Sequence, residues 1–355
     1  MTRIVQAKKP TLNMLALLAT LSLAAQASAQ TSNALSLPQA VTRALASGPD
    51  TTTSRANLQK AQANSAAVQA DPTSVITDQT AAQQGLQSAQ VGLSATKLAT
   101  LQSVINQYLS IYEAEQRTAL NTAQVSFFTR SLQIAQARLA AKVATTLDVT
   151  KAQNSLSSNQ QELADARAQR PIAASQLAKT LGLGNAAVAV TAPPAPPKLS
   201  ATLAALQTGL DTRLSTLVQA QNAVDTAQLQ VNVANNDYTP ARTLQDARTA
   251  LSNAQRDLDS ARKASQTALS DAYRAATSAR EQVGIAAANL SAQQTTVNQS
   301  QARLKAGTAA AIDVQNAQVQ LLSNQFALTQ AQDTLWKALS ALSVAAGQDI
   351  TGLAP

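Results

Sequence analysis

The chain has 355 residues, 13% of them charged and only 2% aromatic, with a formal net charge of +8 and neither cysteine nor histidine. The missing cysteine excludes disulfides, thiolate metal sites and a lipid-accepting thiol, and the missing histidine excludes the commonest general base and metal ligand. The positive charge is dispersed with no block of one sign, which argues against a nucleic acid partner.

Met1 to Ala29 carries Arg3, Lys8 and Lys9, an apolar run from Leu12 to Ala25, and then Ala27-Ser28-Ala29. That is the pattern of a secretory signal peptide over residues 1–29, and the apolar run is too short to span a membrane. The expected mature chain then reads as one helix after another. Leu37 to Ala46 predicts a short helix with Pro38 in its first turn, stopped by Ser47-Gly48-Pro49. Thr51 to Ala70 predicts a second, ending at Asp71-Pro72. Asp78 to Ala141 has no proline and little glycine, and predicts one long helix. Within it Leu98, Leu101, Ile105, Tyr108 and Tyr112 fall at spacings of three and four, the seam of a coiled coil. A helix from Leu147 to Leu181 follows, in which Pro171 is expected to cause a kink or a one-turn break. Thr191 to Lys198 is Pro-rich and extended, within a linker over residues 185–200.

The order then repeats: a short helix near Ala201 to Leu210, one from Thr212 to Ala234, a break at Asn235 to Pro240, a long helix to Leu304, a turn, and a last helix to Ala346. Arg138 matches Arg303, Asp148 matches Asp313, Tyr108 matches Tyr273 and Gly182 matches Gly347, each 165 positions later. The chain is a tandem duplication, with a first helical hairpin repeat over 30–184, a second over 201–349 and a tail over 350–355. The second seam, placed at Leu258, Ala261, Ala268, Ala272, Ala275 and Ala279, is mostly alanine and buries little area per residue. No globular core is expected in either repeat, so self-association is expected to supply buried surface.

The two hairpin turns share a logic. Arg138 with Lys142, and Arg303 with Lys305, place cations on a helix C-terminal turn, while Asp148 and Asp313 place an anion on the next N-terminal turn. Gly307 suits the left-handed residue that ends a helix, and Thr145 to Asp148 reads as a capping box. Arg303, Gly307, Ile312-Asp313-Val314, Ala317-Gln318 and the ending at Gly347, all within a duplicated chain, resemble the outer-membrane efflux protein family of TolC-type channels. Lys142 departs from the glycine usual in that family.

The resemblance implies an all-α protomer in which one long helix lies beside two shorter helices stacked end to end. The sequence lengths agree, at roughly 95 Å against roughly 85 Å. It further implies a homotrimeric hollow cylinder, a passive conduit for efflux or type I secretion, and docking through the tip turns to a periplasmic adaptor and an inner-membrane pump. In that family a membrane β-hairpin leaves each repeat before its long helix. Here only Asp71 to Thr77 and Asn235 to Ala241 are available, and a membrane strand needs about nine to eleven residues. No β-barrel is expected, and outer-membrane association is expected to be indirect.

No phosphate loop, paired metal ligands or activated nucleophile is present, so no enzyme, cofactor or metal is expected. Glu113 with Glu115, and Asp257 with Asp259, read as solvated or arginine-paired faces. Tyr108 and Tyr273 read as seam fillers with hydroxyls at the rim, and Trp336 as a packing anchor. The second functional reading is a non-conducting coiled-coil scaffold or spacer of the cell envelope.

Overall fold

The computed structural model describes residues 34–184 and 188–354, which form nine helices: α1 (Leu37–Ser47), α2 (Pro49–Ala70), α3 (Ile76–Ala140), α4 (Thr146–Thr180), α5 (Leu203–Gln207), α6 (Leu210–Arg213), α7 (Ser215–Ala234), α8 (Ala241–Lys305) and α9 (Ala311–Ala346). The expected signal peptide lies outside the described residues. Among these residues the only β pairing is a parallel bridge between Leu35 and Val190.

The duplication is written into the helix ends. α3 and α8 each run 65 residues, about 98 Å, and α8 both starts and stops 165 positions after α3. Leu, Ala, Gln and Ser dominate both, with proline absent, so propensity supports their length. α2 and α4 both pack along α3, and α7 and α9 both pack along α8. The shorter helices meet end to end: Gly182, just past α4, approaches Ser47 at the α1–α2 junction, and Gly347, just past α9, abuts Arg213 and Leu214 at the α6–α7 junction.

Apolar burial concentrates where these ends meet. In the first repeat Leu37 and Val41 of α1, Leu101, Ile105 and Leu109 of α3, and Leu177 of α4 are fully enclosed. In the second, Leu206, Leu217, Leu269, Leu339 and Leu342 make an equivalent cluster. Each repeat therefore has a core, contrary to the sequence expectation. The reason is that α1, α5 and α6 cap the hairpins across their seams, which a reading of the long helices alone does not reveal.

Four further expectations change. The one-turn break allowed for at Pro171 is absent: α4 continues through that residue, which is exposed while Ala173 and Ala174 behind it are buried, so one lost amide bond is tolerated on the open face. The short helix expected near Ala201 to Leu210 is two pieces, divided at Gly209, whose φ is +76°. The α8 seam runs through Leu258, Ala261, Leu269, Ala272, Ala276 and Ala279, and leaves Ala268 and Ala275 exposed. A strict seven-residue step from Ala261 drifts off the buried face of a helix with 3.6 residues per turn.

Tyr108, finally, does not put its hydroxyl at a rim. It is fully buried, and the hydroxyl lies 2.8 Å from the Thr191 carbonyl and 2.9 Å from that of Leu35, sharing one proton between them. Leu35 also donates to Ala189 and accepts from Thr191, so the N-terminal segment and the linker form one strap over the first core. Trp336 of α9 closes the same region at 2% exposure, as the packing anchor expected, its indole N–H donating to the Pro194 carbonyl at 3.1 Å.

Candidate functional site: the paired tip turns

The α3–α4 and α8–α9 turns lie at one end of the unit. α3 runs toward the first turn and α9 away from the second, and the two helices pack side by side where Gln330 donates to Glu113 at 3.0 Å.

The two turns share the same backbone bonding at their helix C-terminal halves. At the first, the Val143 N–H donates to the Arg138 carbonyl and the Lys142 N–H to that of Leu139, each at 2.9 Å. At the second, Thr308 donates to Arg303 at 2.9 Å and Gly307 to Leu304 at 3.0 Å. This crossed pair of bonds satisfies carbonyls that the helix end would otherwise leave open, and it requires a left-handed residue at its centre. Gly307 supplies it with φ +71°, and Lys142 supplies it with φ +59°, the one non-glycine residue of positive φ among the described residues. The departure seen in the sequence is therefore a strained lysine in an unchanged turn.

The second half of each turn is a helix start. Thr145 donates to Asp148 Oδ2 through its N–H and its hydroxyl, both at 2.8 Å, and Asp148 N–H returns a bond to the Thr145 hydroxyl at 3.3 Å. The Thr145 backbone and side-chain donors hold the Asp148 carboxyl below its usual pKa, helped by Lys151. At the second turn Ala310 N–H donates to Asp313 Oδ2 at 2.9 Å, with no hydroxyl partner because alanine stands in the threonine position.

Arg138, Lys142, Asp148, Arg303, Gly307 and Asp313 are all exposed. Among the described residues no ion pair joins these cations to Asp148 or Asp313; the carboxylates are spent on backbone amides, and the arginines serve the turns through their carbonyls. The cationic side chains thus stay exposed and without an internal ion pair among the described residues. Sequence reading missed an apolar component of the first tip, Val143 at 73% and Leu147 at 59% exposure. The signal was present as two large apolar residues flanking a short turn.

The opposite end is different in kind. Asp71–Val75 joins α2 to α3 and Asn235–Pro240 joins α7 to α8, both far shorter than two membrane strands of about nine to eleven residues and a turn. Tyr238 is 97% exposed there, and an open, mainly apolar groove of about 540 Å³ is lined by Thr77, Val233, Ala247 and Ala250. No described helix is long and apolar enough to cross a membrane.

Neither a family profile nor a curated protein sequence matches the chain. Solved structures do. The outer membrane protein VceC from Vibrio cholerae superposes with a TM-score of 0.66 at 16% identity, over 88% of this chain and 96% of that one. A membrane protein from Pseudomonas aeruginosa gives 0.67 at 16%, over 88% and 90%. The MtrE outer membrane channel of Neisseria gonorrhoeae, solved in an open state, gives 0.62 at 15%, over 89% of each chain. At such identities the likeness establishes the fold, which is the all-α, TolC-like protomer of long packed hairpins.

Proposed function

We propose that the protein is a passive conduit of the cell envelope: a homotrimer of helical hairpins, exported to the periplasm, whose tip turns dock to a periplasmic adaptor serving an inner-membrane pump in efflux or type I secretion. The observation that carries this reading is the pair of turns with matching backbone bonds, cationic and exposed, at one end of a protomer whose fold matches outer-membrane channels across nearly nine-tenths of its length. The cations also complement the helix C-terminal dipoles, and among the described residues none of them is drawn into an internal ion pair in either copy.

The short connections at the other end favour indirect contact with the outer membrane. They also motivate the second reading, an envelope spacer that keeps the rod and conducts nothing.

Tip variants separate the two. Gly307→Val forces a β-branched side chain into a left-handed position, at a cost on the order of 1 kcal/mol or more, although a Cβ there meets no neighbour within 4 Å. Asp313→Ala removes an N-terminal anion worth about 0.3 to 1 kcal/mol. Both variants are expected to keep wild-type helicity and oligomeric state while losing adaptor binding or drug tolerance. Gln161→Ala, on an exposed mid-helix face of α4, is expected to change nothing. Equal behaviour of tip and mid-helix variants in both assays would leave the spacer as the better reading.

A further inference from the structure

Asp333 of α9 is 1% exposed, the only buried acidic side chain among the described residues, and neither carboxylate oxygen has a hydrogen-bond partner. It lies in the packing of α9 on α3, the larger of two contacts, with α7 on α3, that join the second repeat to the first. The charged groups around it are engaged elsewhere. From α3, Glu113 accepts from Arg117 at 3.2 Å and from Gln330 at 3.0 Å, and Lys337, one turn beyond Asp333, reaches Glu113 at 3.9 Å. Glu115 is paired with Arg170 of α4 at 2.7 Å. Tyr112 of α3 has its pKa raised by partial burial first, and then by the charges of Asp333 and Glu115. On α8, Arg274, Arg280 and Glu281 occupy exposed positions. Among the described residues no cation stands within ion-pair distance of Asp333 itself.

A carboxylate without a donor in such a place is costly when charged and tolerable when neutral. We propose that Asp333 is a proton-binding latch in the seam between the two repeats: protonated it is carried as a neutral acid, and ionised it drives the α3–α9 contact to open or admit water. The same environment pushes its pKa up to about 7, through burial first, with Lys337 opposing and Glu113 adding. The sign follows. The closed seam holds the proton up to about pH 7, whereas an opened, solvated aspartate releases it near 3.8. Opening therefore becomes easier as pH rises between those values, by up to about tenfold per unit, and levels off above pH 7. This holds whether or not the assembly conducts.

The test is amide hydrogen exchange on the mature protein from pH 5 to 8, corrected for intrinsic rates and read on peptides covering residues 108–117 and 329–337. In the wild type, seam opening is expected to rise at least tenfold between pH 5 and 7 and then to plateau, while Asp333→Asn shows no such rise. Infrared spectra of the wild type supply a readout that needs no variant: a protonated buried carboxyl band, present at pH 6 and lost by pH 8. A pH-independent seam, the same slope in Asp333→Asn, or a carboxyl already ionised at pH 6 would each overturn the latch.

Discussion

Lys142 holds a backbone conformation that its counterpart 165 positions later assigns to glycine. The left-handed geometry costs a side-chain-bearing residue roughly 1–2 kcal/mol, and glycine recovers that less its own loss of chain entropy. Lys142→Gly is therefore expected to tighten the first tip by about 0.5–1 kcal/mol. The Val143 amide, which is bonded to the Arg138 carbonyl, should then exchange a few-fold more slowly; unchanged or faster exchange would mean that the lysine is held by something other than the turn. The caps were legible in the sequence because capping is local: Thr145, Asp148, Gly307 and Asp313 act within a few residues of themselves. Asp333 was not, because its character comes from what α3 brings to it. A clue was available in the stripe Asp333, Trp336, Ser340 and Ser343, which is buried throughout and places the carboxylate on the same face as the tryptophan.

Among the elements, duplication preserved the backbone more closely than the contacts. Helix lengths and the seam of α3 could be read from spacing alone, and the end-to-end columns followed from the family resemblance, with which those lengths agree. The short capping helices and the strap could not, since their order is fixed by partners distant in sequence. The duplicated tyrosines make the point testable. Tyr108 is enclosed and bonded to the strap, whereas Tyr273 is partly exposed with no side-chain hydrogen bond among the described residues. Tyr108→Phe removes the buried hydroxyl that ties α3 to both carbonyls of the strap and is expected to cost about 1–2 kcal/mol in chemical denaturation, against less than about 0.5 for Tyr273→Phe. Equal effects would remove the strap from the account. The paired glycines differ likewise. A Cβ at Gly347 would come within 2.9 Å of Arg213 Cβ and 3.2 Å of the Arg213 carbonyl, while at Gly182 the nearest contact is 3.6 Å. Both have positive φ, so alanine strains both, but only at Gly347 must the α6–α7 junction also move.

For the molecule as a whole, a cationic, doubly capped end and an end of short connections with an exposed tyrosine are separated by helices of about 98 Å. Its two cores stiffen the level where the columns meet; toward the tips the long helices are packed through scattered aliphatics such as Leu132, Leu156, Val297 and Val314, and toward the other end mainly through small side chains such as Ser65, Ala82, Ala227 and Ala234. Such a protomer gains buried area by standing beside copies of itself, and the proposed conduit requires that it do so around a lumen. The most direct measurement is electron microscopy of the purified mature protein, with mass by light scattering on the same sample. The account predicts a trimer seen end-on as a ring with a stain-filled centre. A stable, fully helical monomer, or a solid rod without a lumen, would contradict it.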